Sequence, residues 1–398
     1  MSKHATVHFT GNPIHFTVLG ADTGTYATFG QSMYAGAVDG LNAVNAAGGI
    51  LGRKLILDKV DTHGDPADAV SSLQQEFAKN HPVAIIGPTT LEIFGVRPVI
   101  TENKIPDMFN GGSTAFDHST NPWIFRINPS DSQEAVAIAM YARQRGIKKA
   151  AILFTTEASQ QELEPFLEKD FKALGGTVVS VTNVTPTQTS YNSEIIKLLA
   201  SHPQAIIGQL DPPTAATFFH ELTGLNGTKT PFIGTDVTAG GDWITAVGAH
   251  LAKQMVTSVE GATPTNPAGN AFNKLQQAAW HQAAPSGANY AYDGVVDVAL
   301  AIDAMKGTTG TDITKGLLKV SNPPGATAWT YAQGLSLLKA GKKINYDGAS
   351  GPMDFNKWRN VSGPWVVVRA TGAANDALNT VETITADQVG VVANKYGL

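Results

Sequence analysis

The sequence contains no cysteine among its 398 residues. Disulfide bonds, thiolate metal sites and cysteine nucleophiles are therefore excluded. An oxidising compartment is not excluded, because a chain of this length can bury a core that needs no covalent cross-links. The 10 histidines are scattered, and without cysteine they form no metal-binding spacing that can be recognised. We therefore expect no metal site.

Charge and long apolar runs are also scarce. Charged residues make up 15% of the chain, the formal net charge is -5, and no run of lysine and arginine occurs. Nucleic acid is therefore not expected as a partner. No stretch of about 18 apolar residues is present, so the sequence predicts no membrane span. Residues 1 to 13 lack the apolar stretch of a secretory leader.

Motifs of common enzyme classes are missing as well. The chain has no GxSxG elbow, no HExxH zinc motif, no GxGxxG turn and no GxxxxGK[ST] phosphate loop. These absences remove the usual signatures of hydrolases, zinc proteases, dinucleotide enzymes and nucleotide hydrolases. We therefore expect neither enzymatic activity nor a cofactor.

The clearest positive signal is a β-α-β pattern near the start of the chain. Residues 14 to 20 (IHFTVLG) form an apolar run typical of a strand, and residues 31 to 45 carry apolar side chains at helical spacing. A second strand is predicted at 54 to 60, after a glycine-rich turn. Parallel strands joined in this way bring the polar loop at 21 to 30 to the carboxyl edge of a sheet, where open α/β sheets bind ligands.

A second β/α series later in the chain echoes the first. VAIIGP (83 to 88) and AIIGQL (205 to 210) stand at equivalent places, as do PDMFNGG (106 to 112) and PFIGTD (231 to 236). The chain is also longer than one hydrophobic core usually serves. Together, the length and the weak repeat predict two α/β lobes of like topology.

The ordered set of motifs resembles the periplasmic branched-chain amino-acid-binding proteins, which are solute receptors of ABC importers. The opening carries TGxYxxFGQ, then NxxGGIxGRKL and DxxGDPxxA, and later motifs are IIGP, PFIGTD, ANYAYDG and GPMDF. The similarity covers roughly residues 14 to 370. It implies the type I periplasmic-binding fold, with two Rossmann-like lobes whose parallel central sheets are joined by a three-segment hinge, and a solute captured in the cleft between the lobes.

The resemblance also implies lobe boundaries. The N-terminal lobe is expected to contain residues 1 to 128 and 260 to 345, and the C-terminal lobe residues 129 to 259 and 346 to 398. Within these lobes the sequence predicts helix over 311 to 340, whereas 372 to 398 permit no assignment.

The expected function is that of a periplasmic, monomeric receptor. It would capture a small amino-acid-like or polar carboxylate or amide solute and deliver it to an inner-membrane ABC permease. We expect a mature sequence whose secretory leader has been replaced. The alternative is a cytoplasmic ligand sensor of the amide-regulator type, which shares the fold and acts by binding a regulatory protein.

Hydroxyl and backbone N–H groups after two strands hold the solute's carboxylate in this family. By resemblance, the corresponding positions are Thr90, Gly111 and Ser113, with Thr89 beside them. Leu91 remains open as an alternative to Thr90. Glycine and hydroxyl residues at strand ends suit an anion, because glycine lets a ligand approach the backbone.

Two further positions match the family's pocket. Phe29 corresponds to an aromatic wall, with Tyr26 as an alternative and core packing as the competing interpretation for both. Asp236 corresponds to the acid that holds the solute's ammonium group. A cap for the segment at 240 to 247 is the alternative role for Asp236.

Three positions depart from the family pattern. Ser159 and Asp211 stand where the family has tyrosines, and Asn289 replaces an apolar side chain. Less aromatic surface and more polar groups predict a roomier, more polar pocket. The sequence therefore favours a solute with extra donor groups, such as a polar or basic amino acid, an amide or a larger amino-acid-like compound. Asp211 has an alternative role as the cap of a helix that begins at Pro212.

Overall fold

The structure is a computed structural model that describes residues 8–24, 26–262, 264–280, 287–372 and 378–397, without the side chains of residues 158 and 159. The chain forms two compact units. The first unit contains Met1–Pro129 and Thr263–Gly363, and the second unit contains Ser130–Ala262 and Pro364–Leu398. The chain therefore passes from one unit to the other three times.

The first unit begins with alternating strands and helices. In chain order these are β1 (Ile14–Gly20), α1 (Ala27–Ala46), β2 (Leu55–Asp61), α2 (Pro66–Asn80), β3 (Ala84–Ile86), α3 (Thr90–Asn103), β4 (Asp107–Phe109) and β5 (Ile124–Arg126). The start of α2 shows why the chain turns helical there. Asp65 accepts hydrogen bonds from the N–H groups of Ala67 and Asp68, and Pro66 occupies the first turn, where its missing N–H costs nothing.

The second unit repeats this alternation. Its elements are α4 (Asp131–Gln144), β6 (Lys149–Thr155), α5 (Ala158–Gln161), α6 (Glu164–Ala173), β7 (Thr177–Val184), α7 (Asn192–Ala200), β8 (Ala205–Gly208), α8 (Pro212–Gly224), β9 (Phe232–Gly234), α9 (Gly241–Val247), α10 (Ala249–Met255) and β10 (Val256–Gly261). A short 3₁₀ turn, Asp236–Ala239, follows β9.

The chain then returns to the first unit and ends in the second. The returning elements are α11 (Pro267–Trp280), α12 (Ala288–Met305), α13 (Gly310–Val320), β11 (Ala326–Ala328), α14 (Tyr331–Lys339), β12 (Ile344–Gly348) and β13 (Gly351–Pro352). The final elements are β14 (Trp365–Ala370), β15 (Leu378–Ile384) and α15 (Ala386–Tyr396). None of the helices in the described ranges is both long and apolar enough to cross a bilayer.

The two main sheets share one strand order. The first is β2-β1-β3-β4-β5, and all its neighbouring strands are parallel. The second contains the same arrangement as β7-β6-β8-β9-β10, extended by the antiparallel strands β14 and β15. A small third sheet joins β11, β12 and β13. The shared order confirms the two Rossmann-like units, and it places a reversal of strand order in each sheet, which is where such sheets bind ligands.

Helix α12 is the central buried helix of the first unit. Every residue from Ala288 to Ile302 is buried, as expected for a helix that is apolar around most of its circumference. It packs against α1 at glycines: a Cβ added to Gly36 would lie 1.9 Å from the carbonyl oxygen of Ala288, and one added to Gly40 would lie 2.9 Å from Cβ of Val295. Only glycine allows the two helices to come this close.

The third boundary between the units corrects the expectation from sequence. It was expected after residue 345, but it lies after Gly363. The intervening residues belong to the first unit because they are bonded to it. Tyr346 Oη donates to Asp293 Oδ1 at 2.7 Å, and Asn360 Nδ2 donates to the carbonyl oxygen of Phe116 at 2.9 Å.

Two local assignments are also corrected, and the structure supplies a third that the sequence did not give. The predicted helix over 311 to 340 is interrupted between α13 and α14, because Pro323 and Pro324 cannot continue a helix. Residues 372 to 398, which had no assignment, contain β15 and α15. Helix α1 begins at Ala27, so Phe29 lies in its first turn and not in a loop.

Candidate functional site

The predicted binding residues of the first unit lie at the carboxyl ends of its strands. We call this group the first edge: Phe29, Thr90, Gly111, Ser113 and Asn289. Thr90 follows β3, Gly111 and Ser113 follow β4, and Asn289 lies in the first turn of α12. Strands β3 and β4 are neighbours in the sheet, so the topology brings their loops to one edge.

Three of these residues are in direct contact. The N–H of Ser113 donates to Oγ1 of Thr90 at 3.2 Å. A Cβ added to Gly111 would lie 2.5 Å from the backbone nitrogen of Thr90 and 2.7 Å from its Oγ1. Glycine is therefore required for the two strand ends to approach each other. Arg126 stabilises this arrangement, because its Nη1 donates to the carbonyl oxygen of Ser113 at 3.0 Å.

Thr89 has a structural role in this unit. It is the N-cap of α3, and its hydroxyl accepts a hydrogen bond from the N–H of Leu91 and contacts Oε2 of Glu92. Glu92 also accepts from the backbone N–H of Thr89 at 2.9 Å. This reciprocal capping box satisfies Thr89 within the protein. Leu91, the alternative to Thr90, lies beside it in the first turn of α3.

The amino end of α12 is tied to the end of β4. Asn110 Nδ2 donates to the carbonyl oxygen of Gly287 at 3.1 Å, and a Cβ added to Gly287 would lie 2.7 Å from the Phe29 ring. Asn289 is 4% exposed, and its Nδ2 has no hydrogen-bond partner among the described residues. An orphaned buried donor costs free energy unless a ligand or water accepts from it.

The second unit brings three carboxylates together at its own strand ends. Glu134 lies in the first turn of α4, Asp236 follows β9, and Glu260 lies near the end of β10. Glu134 Oε1 accepts a hydrogen bond from the backbone N–H of Asp236 at 2.9 Å. Asp236 Oδ1 in turn accepts from the N–H of Val237. With Asp211, which follows β8, these acids form what we call the acidic edge.

The electrostatics of the acidic edge are dominated by burial and mutual repulsion. Burial, followed by the charges of Asp236, Asp131 and Glu260, raises the pKa of Glu134 well above its ordinary value. Burial and Asp236 raise the pKa of Glu260 to about 8, and burial raises the pKa of Asp236. Within the described ranges no ion pair involves any of these three acids.

Asp211 combines a structural role with an unsatisfied atom. Its Oδ1 accepts from the N–H of Thr214 at 3.1 Å, which caps α8. Its Oδ2 is buried and has no partner in the part of the chain that the structure describes, and the residue as a whole is only 3% exposed. The cap interpretation is therefore correct, and one oxygen remains available.

The cap at Asp211 leads to a stability prediction. Asp211→Ala is expected to lower the free energy of unfolding of the second unit by about 1 kcal/mol, because the N–H of Thr214 loses its acceptor. Asp211→Ser is expected to recover most of this loss, since serine is a good N-cap. Urea unfolding followed by circular dichroism measures both. Equal midpoints for Asp211→Ala and the wild type would contradict a contribution from the cap.

The sequence analysis did not identify two residues of the site. The side chain of a third, predicted residue lies outside the described part of the chain. Glu134 and Glu260 were not identified, although a strand end before a Pro/Gly-rich connection was a usable signal for Glu260. Nothing in the local sequence distinguishes Glu134 from an ordinary acid in the first turn of a helix. The side chain of Ser159 is outside the described residues. Within those residues, no group of three or more His, Cys, Asp or Glu is arranged to hold a metal.

Comparison with known proteins gives the family. Residues 13–376 match the profile of periplasmic binding proteins. The Leu/Ile/Val-binding protein of Escherichia coli K12 is 22% identical over 387 residues, which is 92% of this chain and 93% of that protein.

Solved structures show the same fold. A leucine-binding protein from Thermotoga maritima superimposes with a TM-score of 0.80 at 18% identity and covers 94% of this chain and 99% of its own. An ABC-transporter solute-binding protein from R. palustris, solved with benzoate, has a TM-score of 0.76 at 17% identity and covers 94% and 96%. The bound solutes of such neighbours differ in chemistry. The chain therefore belongs to the periplasmic binding proteins, and its fold is that of the leucine-binding protein from Thermotoga maritima.

Proposed function

We propose that this protein is an extracytoplasmic receptor for a small amino-acid-like or polar carboxylate or amide solute. It releases the solute to an inner-membrane ABC permease, acts as a monomer and carries out no covalent chemistry. The acidic edge is the observation that carries the amino-acid part of this proposal: Asp236 is half-buried beside Glu134 and Glu260, with no cationic side chain paired to it among the described residues. A buried carboxylate needs a cationic or hydrogen-bonding partner.

The first edge supplies the complementary chemistry. It presents the Thr90 hydroxyl, the backbone of Gly111, and the Nδ2 of Asn289, which has no partner among the described residues. These groups are hydroxyl and amide donors, which suit the carboxylate or carbonyl oxygen of a solute. Taken by itself, the first edge therefore suits the acidic end of a solute, with Phe29 against the body of that solute.

The family supports the proposed location and partner. The matching family model is that of periplasmic binding proteins, and the neighbours solved with isoleucine and with benzoate are substrate- or solute-binding proteins of transporters. Family membership supports capture outside the cytoplasm and transfer to a permease. The identity of the solute is a proposal that rests on the two edges of this chain.

Ligand-dependent thermal unfolding tests the proposal. A solute present at about 100 times its dissociation constant adds roughly 2.7 kcal/mol to the folded state and raises the unfolding midpoint by a few degrees. We expect an amino acid to do so in a panel of amino acids, amides, and aromatic and aliphatic carboxylates. Stabilisation only by compounds that lack an amine would contradict the ammonium site and leave Asp236 as a hydrogen-bond acceptor, since Gly240 is the N-cap of α9 and no side chain caps that helix.

Asp236→Asn tests the ammonium site directly. The amide keeps an oxygen that can accept from the N–H of Val237, but it removes the negative charge. We expect the dissociation constant of the best amine-containing solute to rise about 30-fold or more, because the ammonium loses its desolvated counter-ion. Unchanged affinity in isothermal titration calorimetry would show that Asp236 does not hold the amine.

A further inference from the structure

The acidic edge contains more carboxyl groups than one ammonium group can pair with. Burial first, and then the charges of neighbouring acids, raise the pKa values of Glu134 and Glu260, so these two groups ionise readily only beside a cation. A single amine would pair with Asp236 and leave the other two carboxyl groups without a cationic partner. The number of carboxyl groups therefore points to a solute with more than one cationic group.

The order of the strands in the sheet determines how far apart the acids lie. Asp211 follows β8, Asp236 follows β9 and Glu260 lies near the end of β10, and these three strands are neighbours in that order. Neighbouring strands lie about 4.8 Å apart. The acids thus extend over roughly 10 Å across three strand ends. One ammonium group cannot contact carboxyl groups that lie this far apart.

An independent observation comes from Asp211. Its Oδ2 is a buried acceptor with no donor among the described residues, and its other oxygen is already used by the cap of α8. The side chain is 3% exposed, so bulk water does not solvate it freely. A buried acceptor of this kind is normally satisfied by a ligand, ion or water.

A metal ion does not explain the arrangement. Within the described ranges, no three acids or histidines converge on a point that could hold a metal. Divalent cations need oxygen ligands within about 2.0–2.6 Å of one centre. An organic cation with separated donor groups fits a row of acids better than an ion that requires a single centre.

We propose that the acidic edge selects basic solutes, namely amino acids or amines that carry a second ammonium or guanidinium group on a flexible stem. The α-amine binds Asp236 with Glu134 behind it, and the second cationic group reaches Glu260 or Asp211. This inference rests on the proposed function, because it names the solute class for the same site.

Matched ligand pairs test the proposal on the full chain by isothermal titration calorimetry. L-lysine is compared with L-norleucine, which lacks only the terminal amine, and L-arginine with L-citrulline, which lacks the guanidinium charge. We expect at least one basic member to bind tenfold or more tightly than its neutral partner. One of the variants Glu260→Gln and Asp211→Asn is expected to reduce that ratio, namely the one that removes the acid in contact with the distal charge.

Glu168→Gln is the control variant. Glu168 lies on α6, is partly exposed and contacts Lys172 one turn away, so its loss changes the net charge equally and should leave the ratio unchanged. Asp211→Asn retains a capping side chain, and thermal unfolding of each variant confirms that it folds.

The outcomes distinguish the basic-solute inference from the proposed receptor function. Equal or tighter binding of L-norleucine, L-citrulline, L-leucine or benzoate overturns the basic-solute inference and leaves the receptor function in place. Preference for a basic solute that survives both Glu260→Gln and Asp211→Asn overturns the assignment of the distal contact. If neither these compounds nor any compound of the wider panel binds, the proposed function is overturned as well.

Discussion

Asp293→Ala is expected to lower the free energy of unfolding of the first unit by about 3–5 kcal/mol, the range for breaking a buried charged network. The Asp293 carboxylate on α12 accepts from Tyr346 Oη at 2.7 Å, from the N–H groups of Ala349 and Ser350 at 2.8 and 2.6 Å, and from Ser350 Oγ at 2.5 Å. Alanine leaves four buried donors without an acceptor, and each orphaned group costs about 1–3 kcal/mol.

Chemical unfolding monitored by circular dichroism and tryptophan fluorescence measures this effect. The two units need not unfold together, so the transition of the first unit should move while that of the second stays in place. Asp68→Ala is the matched control, because the Asp68 side chain is 58% exposed at the start of α2. A shift for Asp293→Ala no larger than the shift for Asp68→Ala would contradict the anchoring role of Asp293.

This network also explains the position of the third boundary between the units. Asp293 holds the segment around Ala349 and Ser350 against the buried face of α12. The chain therefore continues in the first unit until Gly363. The resemblance to the receptor family suggested an earlier boundary, because the bonds that retain this segment join residues more than 50 positions apart.

Asp170→Asn is expected to stabilise the second unit at pH 8 by roughly 2–4 kcal/mol. Asp170 lies on α6, is 1% exposed, and neither of its carboxylate oxygens has a hydrogen-bond partner among the described residues. Burial raises the pKa of Asp170 to about 7, and Lys169 lowers it only in part. Keeping this carboxylate ionised in the core costs free energy that an amide of the same shape does not require.

The pH dependence gives the sign of the effect. The folded-state pKa of Asp170 lies above its ordinary value of 3.8, so the folded protein holds the proton more tightly than the unfolded chain. The wild type therefore loses stability as the pH rises from about 4 to about 7, by up to about 1.4 kcal/mol per unit. Asparagine has no proton to lose, so the two proteins should have similar stability at pH 4 and diverge at higher pH.

Thermal unfolding midpoints recorded between pH 4 and pH 8 provide the measurement. Glu168→Gln is again the control, because it removes a carboxylate from the solvent side of the same helix. Surface ion pairs contribute little to stability, so this variant should follow the wild type at every pH. Parallel pH curves for Asp170→Asn and the wild type would show that Asp170 does not titrate in this range.

Much of the fold was predictable because its signals are local. The β-α-β pattern of the opening, the Asp65-Pro66 helix start and the echo between the two halves each depend on residues within one element or its ends. The resemblance assigned Thr90, Gly111 and Ser113 to one site, and strand ends in a parallel sheet share an edge. In the structure the N–H of Ser113 contacts the hydroxyl of Thr90.

The sequence by itself determined the family, the two-unit α/β architecture and the position of Asp236 after its strand. Only the tertiary structure decided which other acids surround Asp236. Glu134 contacts it across 102 positions of sequence, and Glu260 arrives on the next strand of the sheet. Local patterns specify where a strand or helix ends, but the electrostatics of a site depend on which ends the fold brings together. The cluster of carboxyl groups that sets the expected solute class is therefore a property of long-range packing.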